Sequence, residues 1–154
     1  MHITLLAVGR IKSGPEREML DKYLKRAGPI GRGFGVRSIT EIEVASGGGI
    51  EVEGERLLAK IPTGAHVIRL DEGGKSQRSV QFSENLQRLA DQGVPDLVFL
   101  IGGAEGYSTA VRAAAPKTQA LGPQTWPHRL ARVMLAEQVY RALSILSGSP
   151  YHKP

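Results

Sequence analysis

Cysteine is missing from all 154 residues of the chain. That single absence excludes disulfides, thiolate nucleophiles and thiolate-bound zinc, so stability has to come from packing alone. Long apolar runs are missing as well. The opening "MHITLLAVGRIK" holds an apolar stretch too short for a signal segment, and nothing approaches the roughly 20 residues of a membrane span, which makes the cytoplasm the expected location. Negative charge is in the minority. Fifteen Asp plus Glu face twenty Lys plus Arg, a net charge of +5. This suits a polyanionic partner such as RNA, but many basic enzymes share it and never touch nucleic acid. The four histidines, His2, His66, His128 and His152, are scattered without ligand spacing, so no metal is expected.

The composition is otherwise that of a globular protein, with 41% hydrophobic and 23% charged residues, and the length fits one domain, 1 to 154. Glycine is in excess at 19 residues, beside 9 prolines. It concentrates in "GPIGRGFG" (28 to 35) and "ASGGG" (45 to 49), both of which read as surface loops. The rest alternates between strand and helix patterns. Ile3 to Val8 reads as a buried strand, "PEREMLDKYLKRAG" as a helix closing before Gly28, and Val36 to Val44 as a strand. Glu51 to Lys60 reads as a short charged helix, "HVIRL" (66 to 70) as a strand and Ser79 to Gln92 as a helix. "DLVFLI" (96 to 101) is apolar throughout, as expected of a strand buried on both faces. Ser108 suits an N-cap ahead of an alanine-rich helix that Pro116 ends. The pattern predicts an α/β fold with a largely parallel sheet flanked by helices. Ligands in such sheets sit at the carboxyl ends of the strands, where Leu70, Gly102 and "ALGPQTW" (120 to 126) would arrive.

Pro127 opens a last helix running to about residues 146 to 148, with Val133, Leu135, Val139, Tyr140, Leu143 and Leu146 on one arc. Leu130, Met134 and Ile145 lie on the opposite side beside Glu137, Gln138 and Arg141. That face is more apolar than solvent requires and suggests a subunit contact. Arg132 falls inside the apolar arc, one turn after His128. It has two readings: a cation held by a carboxylate or carbonyl, or, together with His128, the flank of a ligand pocket. Glu137 and Arg141, four apart, read as a helix-face pair.

The glycines of "LIGGAEGYS" (100 to 108) do not follow the G-x-G-x-x-G spacing of dinucleotide folds, and no acidic residue ends a strand some 20 positions on. No G-K-[ST] follows them either. What remains is a pocket lined by main-chain groups, suited to a ligand read by peptide hydrogen bonds and apolar contact, such as an adenosine without phosphate.

"FLIGGAEGYS", "TWPHRLARVMLAEQVYRA" and the terminal "SPYHKP" resemble the RlmH family of ribosomal RNA methyltransferases in the SPOUT superfamily. "LLAVGRIK", "KYLKR", "GERLLAKIP" and "LDEGGK" extend the likeness over nearly the whole chain. The resemblance implies a SPOUT fold with a C-terminal trefoil knot, against the general rule for chain topology. It also implies a homodimer and S-adenosyl-L-methionine as methyl donor. The implied reaction is methylation of N3 of a pseudouridine in helix 69 of large-subunit (23S) rRNA on the assembled ribosome. By matching motifs the cofactor would contact Leu70, Gly102, Gly103 and the run Leu121, Gly122, Pro123, Gln124, Thr125, Trp126. Relatives carry a serine-containing loop where this chain has Leu121, Gly122 and Pro123, so contacts there would fall to the backbone. Gly102 and Gly103 would let the backbone approach the cofactor.

Methyl transfer from a sulfonium needs no metal, because the leaving group is neutral, and positioning supplies much of the rate. An imide nitrogen must lose its proton, which calls for a base or for cations that stabilise the anion. The expected catalytic residues are His128, Arg132 and the tail residues Tyr151, His152 and Lys153. The tail is expected to fold over the site, with His152 or Tyr151 on the target base and with Arg132 and Lys153 on phosphate or developing charge. The alternatives are a ribosome-binding assembly factor without catalysis and a methyltransferase acting on another RNA or a small molecule.

Overall fold

The computed structural model describes residues 1 to 154. Five strands form one all-parallel sheet in the order β2-β1-β4-β3-β5: β1 His2–Val8, β2 Ser38–Val44, β3 His66–Leu70, β4 Asp96–Ile101 and β5 Thr118–Gln119. The helices between them are α1 Pro15–Arg32, α2 Ile50–Leu58, α3 Ser79–Asp91, α4 Thr109–Ala114 and α5 His128–Leu146. No helix is long and apolar enough to cross a membrane.

The two faces of the sheet follow from the two-residue period of the strands. Ile3, Leu5 and Ala7 of β1, with Leu97, Phe99 and Ile101 of β4, face the larger core, built with α1, α3 and α5. Leu6 and Val8, with Val98 and Leu100, face the other way onto Leu57 of α2 and Val111 of α4. "DLVFLI" is therefore apolar at every position because both faces of its strand are covered. On α5, Val133, Leu135, Val139 and Leu143 are buried, and Tyr140 and Leu146 pack against the same core. Its outer face leaves Leu130 44% exposed, and Met19 of α1 is equally exposed at 44%.

The structure corrects one expected loop. Helix α1 does not close before Gly28 but runs on through Pro29 to Arg32. The cause is tertiary: Gly31 is buried, and a Cβ there would lie 3.1 Å from Val36 and 3.4 Å from Leu143, so bare backbone at this turn lets α1 approach α5. The amides of Phe34 and Val36 both donate to the Gly31 carbonyl, each at 2.9 Å, and close the helix there. The glycine run before α2 is a loop as expected, with Gly47, Gly48 and Gly49 all at positive φ. Strand β5 is only two residues long, and no sequence signal marked it.

Ser108 caps α4 as expected, its Oγ accepting from the Val111 amide at 3.2 Å. The same oxygen fixes the contact with α2, since a Cβ on Gly54 would lie 2.3 Å from it. Gly54→Ala is expected to lower stability by about 1–3 kcal/mol through overpacking. Adding Ser108→Gly, a tolerated cap, should recover most of that loss in urea unfolding.

Candidate active site

All five strands end on one edge, and two adjoining clefts open there. The first, of about 410 Å³, lies between the ends of β3 and β4 and the segment after β5. Tyr107 builds its floor. The phenol is buried, and its oxygen lies 2.8 Å from the carbonyl oxygens of both Leu70 and Leu100, so its single proton serves one of them at a time. It also accepts from the Gly102 amide at 3.1 Å. One side chain thus ties the exits of two strands together. Burial raises its pKa above the ordinary phenol range, and Arg69 lies over the ring at 5.3 Å.

The two glycines answer to the protein's own packing before any ligand. A Cβ at Gly102 would lie 3.2 Å from the Tyr107 ring and from the Gly106 carbonyl, and one at Gly103 would lie 3.1 Å from Val8. Gly106, at φ 82°, donates its amide to the Gly103 carbonyl at 3.1 Å and closes a tight turn. "GGAEG" is a turn folded against its own strand. That is its primary reason, ahead of backbone approach to a cofactor.

Of the expected cofactor contacts, Leu70, Gly102, Gly103, Leu121, Gln124, Thr125 and Trp126 line this cleft. Gly122 and Pro123 do not. The left-handed backbone at Gly122, φ 95°, turns the chain out of the cleft, and Gly122 borders a neighbouring groove instead. The indole of Trp126 donates back to the Leu121 carbonyl at 2.9 Å and closes the loop. Thr125 Oγ1 donates to the Glu72 carboxylate, which joins this loop to the one after β3. The Ala120 amide donates to the Lys75 carbonyl at 3.0 Å, and Gly74 has no room for a Cβ, which would lie 3.0 Å from the backbone of Gln119.

The second cleft, of about 530 Å³, shares Gly103, Ala104 and His128 with the first. Arg10, Arg129, Glu105 and the glycine loop 47 to 49 line its sides. Glu53, from α2, also borders it and is 8% exposed.

Arg132 borders the second cleft, but its charge is already matched. Nη1 donates to Glu41 at 3.1 Å and Glu43 at 2.6 Å, and Nη2 donates to the carbonyls of Val8 at 3.3 Å and Gly9 at 2.9 Å. Arg17 binds the same two carboxylates at 2.6 and 3.2 Å, and its guanidinium pKa is raised, chiefly by the Glu41 hydrogen bond. Arg132, expected on phosphate or developing charge, thus has both terminal nitrogens engaged within the chain, while its buried Nε has no partner. At 1% exposure it is a cation bound by carboxylates and carbonyls, and it positions α5.

The tail is ordered, but in this chain it lies away from both clefts. Tyr151 donates to Glu137 at 3.0 Å, its ring meets Tyr140 at 4.6 Å, and Arg141 covers it at 4.8 Å. Burial, then the Glu137 hydrogen bond, raises its pKa. His152 Nδ1 lies 3.1 Å from Arg141 Nη1, and Lys153 is exposed. Glu137 and Arg141 pair at 2.8 Å as expected. Nine to thirteen residues of helix separate these partners from His128, about 14–20 Å along the axis. The expected folding of Tyr151, His152 and Lys153 over the site does not occur within one chain.

A parallel α/β sheet with a ligand-sized cleft at its carboxyl edge defines a broad class, and comparison with known proteins narrows it. A family model described as "Predicted SPOUT methyltransferase" matches residues 1–152. This chain belongs to the SPOUT methyltransferase family. Its relatives include proteins named ribosomal RNA large subunit methyltransferase H. The one from Hyphomonas neptunium is 59% identical over 153 residues, covering 99% of each chain, and that from Phenylobacterium zucineum is 51% identical over 154, again covering 99% of each. A SpoU methyltransferase of known structure from Streptomyces viridochromogenes, in complex with AdoMet, matches 96% of this chain and 58% of that one at 15% identity and a TM-score of 0.42. At that distance no residue or ligand carries across.

Tyr107 and Glu53 escaped the sequence reading. Tyr107 follows the glycine motif directly, and its burial beside a strand end could have been anticipated. Glu53 lies in a charged helix and nothing distinguishes it. Tyr107→Phe removes the one proton that the Leu70 and Leu100 carbonyls share and the oxygen that accepts from the Gly102 amide. It is expected to cost about 1–3 kcal/mol in thermal unfolding. Arg132→Ala leaves two carboxylates undercompensated and should cost about 3–5 kcal/mol in urea.

Proposed function

We propose that the protein is a single-domain, S-adenosyl-L-methionine-dependent methyltransferase of large-subunit rRNA, acting on N3 of a pseudouridine in helix 69 of the assembled ribosome. One observation carries the reading. Leu70, Gly102 and the loop from Leu121 to Trp126, distant in sequence, converge on one cleft at the carboxyl edge of the sheet. The family and the names of the relatives support methyl transfer and an rRNA substrate.

The cleft residues fit a nucleoside without phosphates. Asp71, paired with Arg69 at 3.0 Å and with Arg112 at 3.6 Å, and Glu72, which accepts from Thr125, leave no surplus of positive charge, while Ile101, Leu121 and Trp126 give apolar surface for a base. That lining offers a pyrophosphate no cluster of free cations. When bound, S-adenosylmethionine supplies an electrophilic methyl group on a neutral leaving group. The chain's own part is to orient and to exclude water. Tyr107 fixes the floor, and Thr125 with Glu72 fixes the rim. Half-buried His128 stands on the wall common to both clefts, while exposed Arg10 and Arg129 offer positive charge to RNA beside the second. A donor in the first cleft and a nucleobase in the second would lie on either side of Gly103.

A C-terminal trefoil knot and a homodimer belong to the same reading. The loop after β3 bonds to and crowds the chain at Gln119 and Ala120, a close approach that such a knot would also bring about. Exposed Met19 and Leu130 flank the outer face of α5, where Met19, Tyr23 and Met134 line an apolar groove. A second copy on that face would cover this surface and present Tyr151, His152 and Lys153 to the opposite cleft. A cytoplasmic setting belongs to the same reading.

Radiolabelled methyl from S-adenosylmethionine should enter intact ribosomes, with less into separated subunits and free RNA. Transfer to none of them defeats the reading. Removing residues 150 to 154 should lower transfer at least about 100-fold. Cofactor affinity by calorimetry should change far less than the rate, because no tail residue of the same chain lines the first cleft.

A further inference from the structure

Glu53 is a largely buried acid with one oxygen left open to the second cleft. Its Oε2 accepts from the Gly47 amide at 2.9 Å, whereas Oε1 makes no hydrogen bond or ion pair within the chain, although the residue is 8% exposed. Oε1 lies against Gly103, since a Cβ there would be 3.4 Å from it. Gly103 is the wall shared by the two clefts, so the free oxygen borders the second cleft where it meets the first. An acceptor so placed is free to take a hydrogen bond from a ligand in the second cleft.

Resting on the methyltransferase reading above, we propose that Glu53 is a catalytic residue that accepts the imide N–H proton of the target base, and that the second cleft holds that base. The other charged groups facing Glu53 cannot take this role as well. Arg10 and Arg129 are cations, Arg132 is bound by Glu41 and Glu43, and Glu105 is exposed on its loop. On its own helix, Arg56 donates to the carbonyls of Ala45 and Gly47. His128, at the start of α5 on the wall common to both clefts, is the remaining titratable group.

The step balances. The N–H proton passes to Oε1, and the nitrogen pair so released forms the new N–C bond to the methyl carbon. The C–S bond breaks with its electrons going to sulfur, which leaves as a neutral thioether. The negative carboxylate and positive sulfonium are neutralised together, and the proton then passes from Glu53 to solvent.

Glu53→Gln separates this role from a structural one, because a glutamine oxygen still accepts from the Gly47 amide but cannot take a proton. In single turnover at neutral pH, E53Q is expected to be about 10²–10⁴-fold slower than wild type, with unchanged melting temperature and cofactor affinity. Its residual rate should climb toward alkaline pH, where solvent ionises the imide. Should E53Q fold poorly, Glu53→Ala assayed with added formate supplies a second test, the expected result being a rate restored by formate and not by chloride. A readout without cofactor is binding of a uridine-bearing RNA hairpin against the same hairpin carrying N3-methyluridine. Wild type should prefer the first, and E53A should lose the preference. Wild-type rate in E53Q, or unchanged discrimination in E53A, overturns the assignment of Glu53 while the enzyme reading stands. A wild-type chain that methylates no RNA overturns both.

Discussion

The ion cluster around Arg132 is the interaction on which the site depends. A guanidinium at 1% exposure in the apolar stripe of a helix would be prohibitive alone. Here Glu41 and Glu43 of β2 and the carbonyls of Val8 and Gly9 at the end of β1 surround it, and Arg17 of α1 shares the carboxylates. Two helices and two strand ends are pinned at one point. Ion pairs buried this deeply add little net stability over an apolar core, but removing one partner is costly, so the cluster specifies geometry more than it adds to stability. It fixes the first turns of α5, and with them His128, relative to the carboxyl edge of the sheet.

Across the sheet, Tyr107 does for β3 and β4 what Arg132 does for β1 and β2. Its hydroxyl gathers the Leu70 and Leu100 carbonyls and the Gly102 amide, and its ring fills the space that a side chain on Gly102 would occupy. Between these anchors the glycine turn brings bare backbone to the boundary of two clefts. Exposed Arg10 and Arg129 stand beside the second cleft, where they offer positive charge to an anionic polymer.

Much of this architecture was legible because it rests on short-range pattern. The strands at 2 to 8, 66 to 70 and 96 to 101 carry apolar runs bounded by glycine or proline, and the Ser108 cap and the Glu137–Arg141 pair depend on residues three or four apart. The convergence of Leu70, Gly102 and Leu121 was legible too, since parallel strands deliver their ends to one edge. What escaped depends on partners far along the chain. Gly28 and Pro29 read as a helix end, yet packing of Gly31 on Leu143 carries α1 through them. Arg132 left two readings open because Glu41 and Glu43, some 90 residues away, decide between them. Gly122 turns out of the cleft through a left-handed φ that its neighbours do not signal. The tail's position depends on the face of α5 that Tyr140, Glu137 and Arg141 present together.

The central claim is that main-chain groups at three converging chain exits hold the methyl donor, with the target base across Gly103 from it. A crystal structure of the protein with S-adenosylhomocysteine tests it most directly. The account predicts the adenosine between Leu70, Gly102 and the loop from Leu121 to Trp126, with the sulfur directed toward Gly103 and the second cleft open beside it. Density for the ligand elsewhere, or in the cleft with its sulfur directed away from Gly103, would contradict the account.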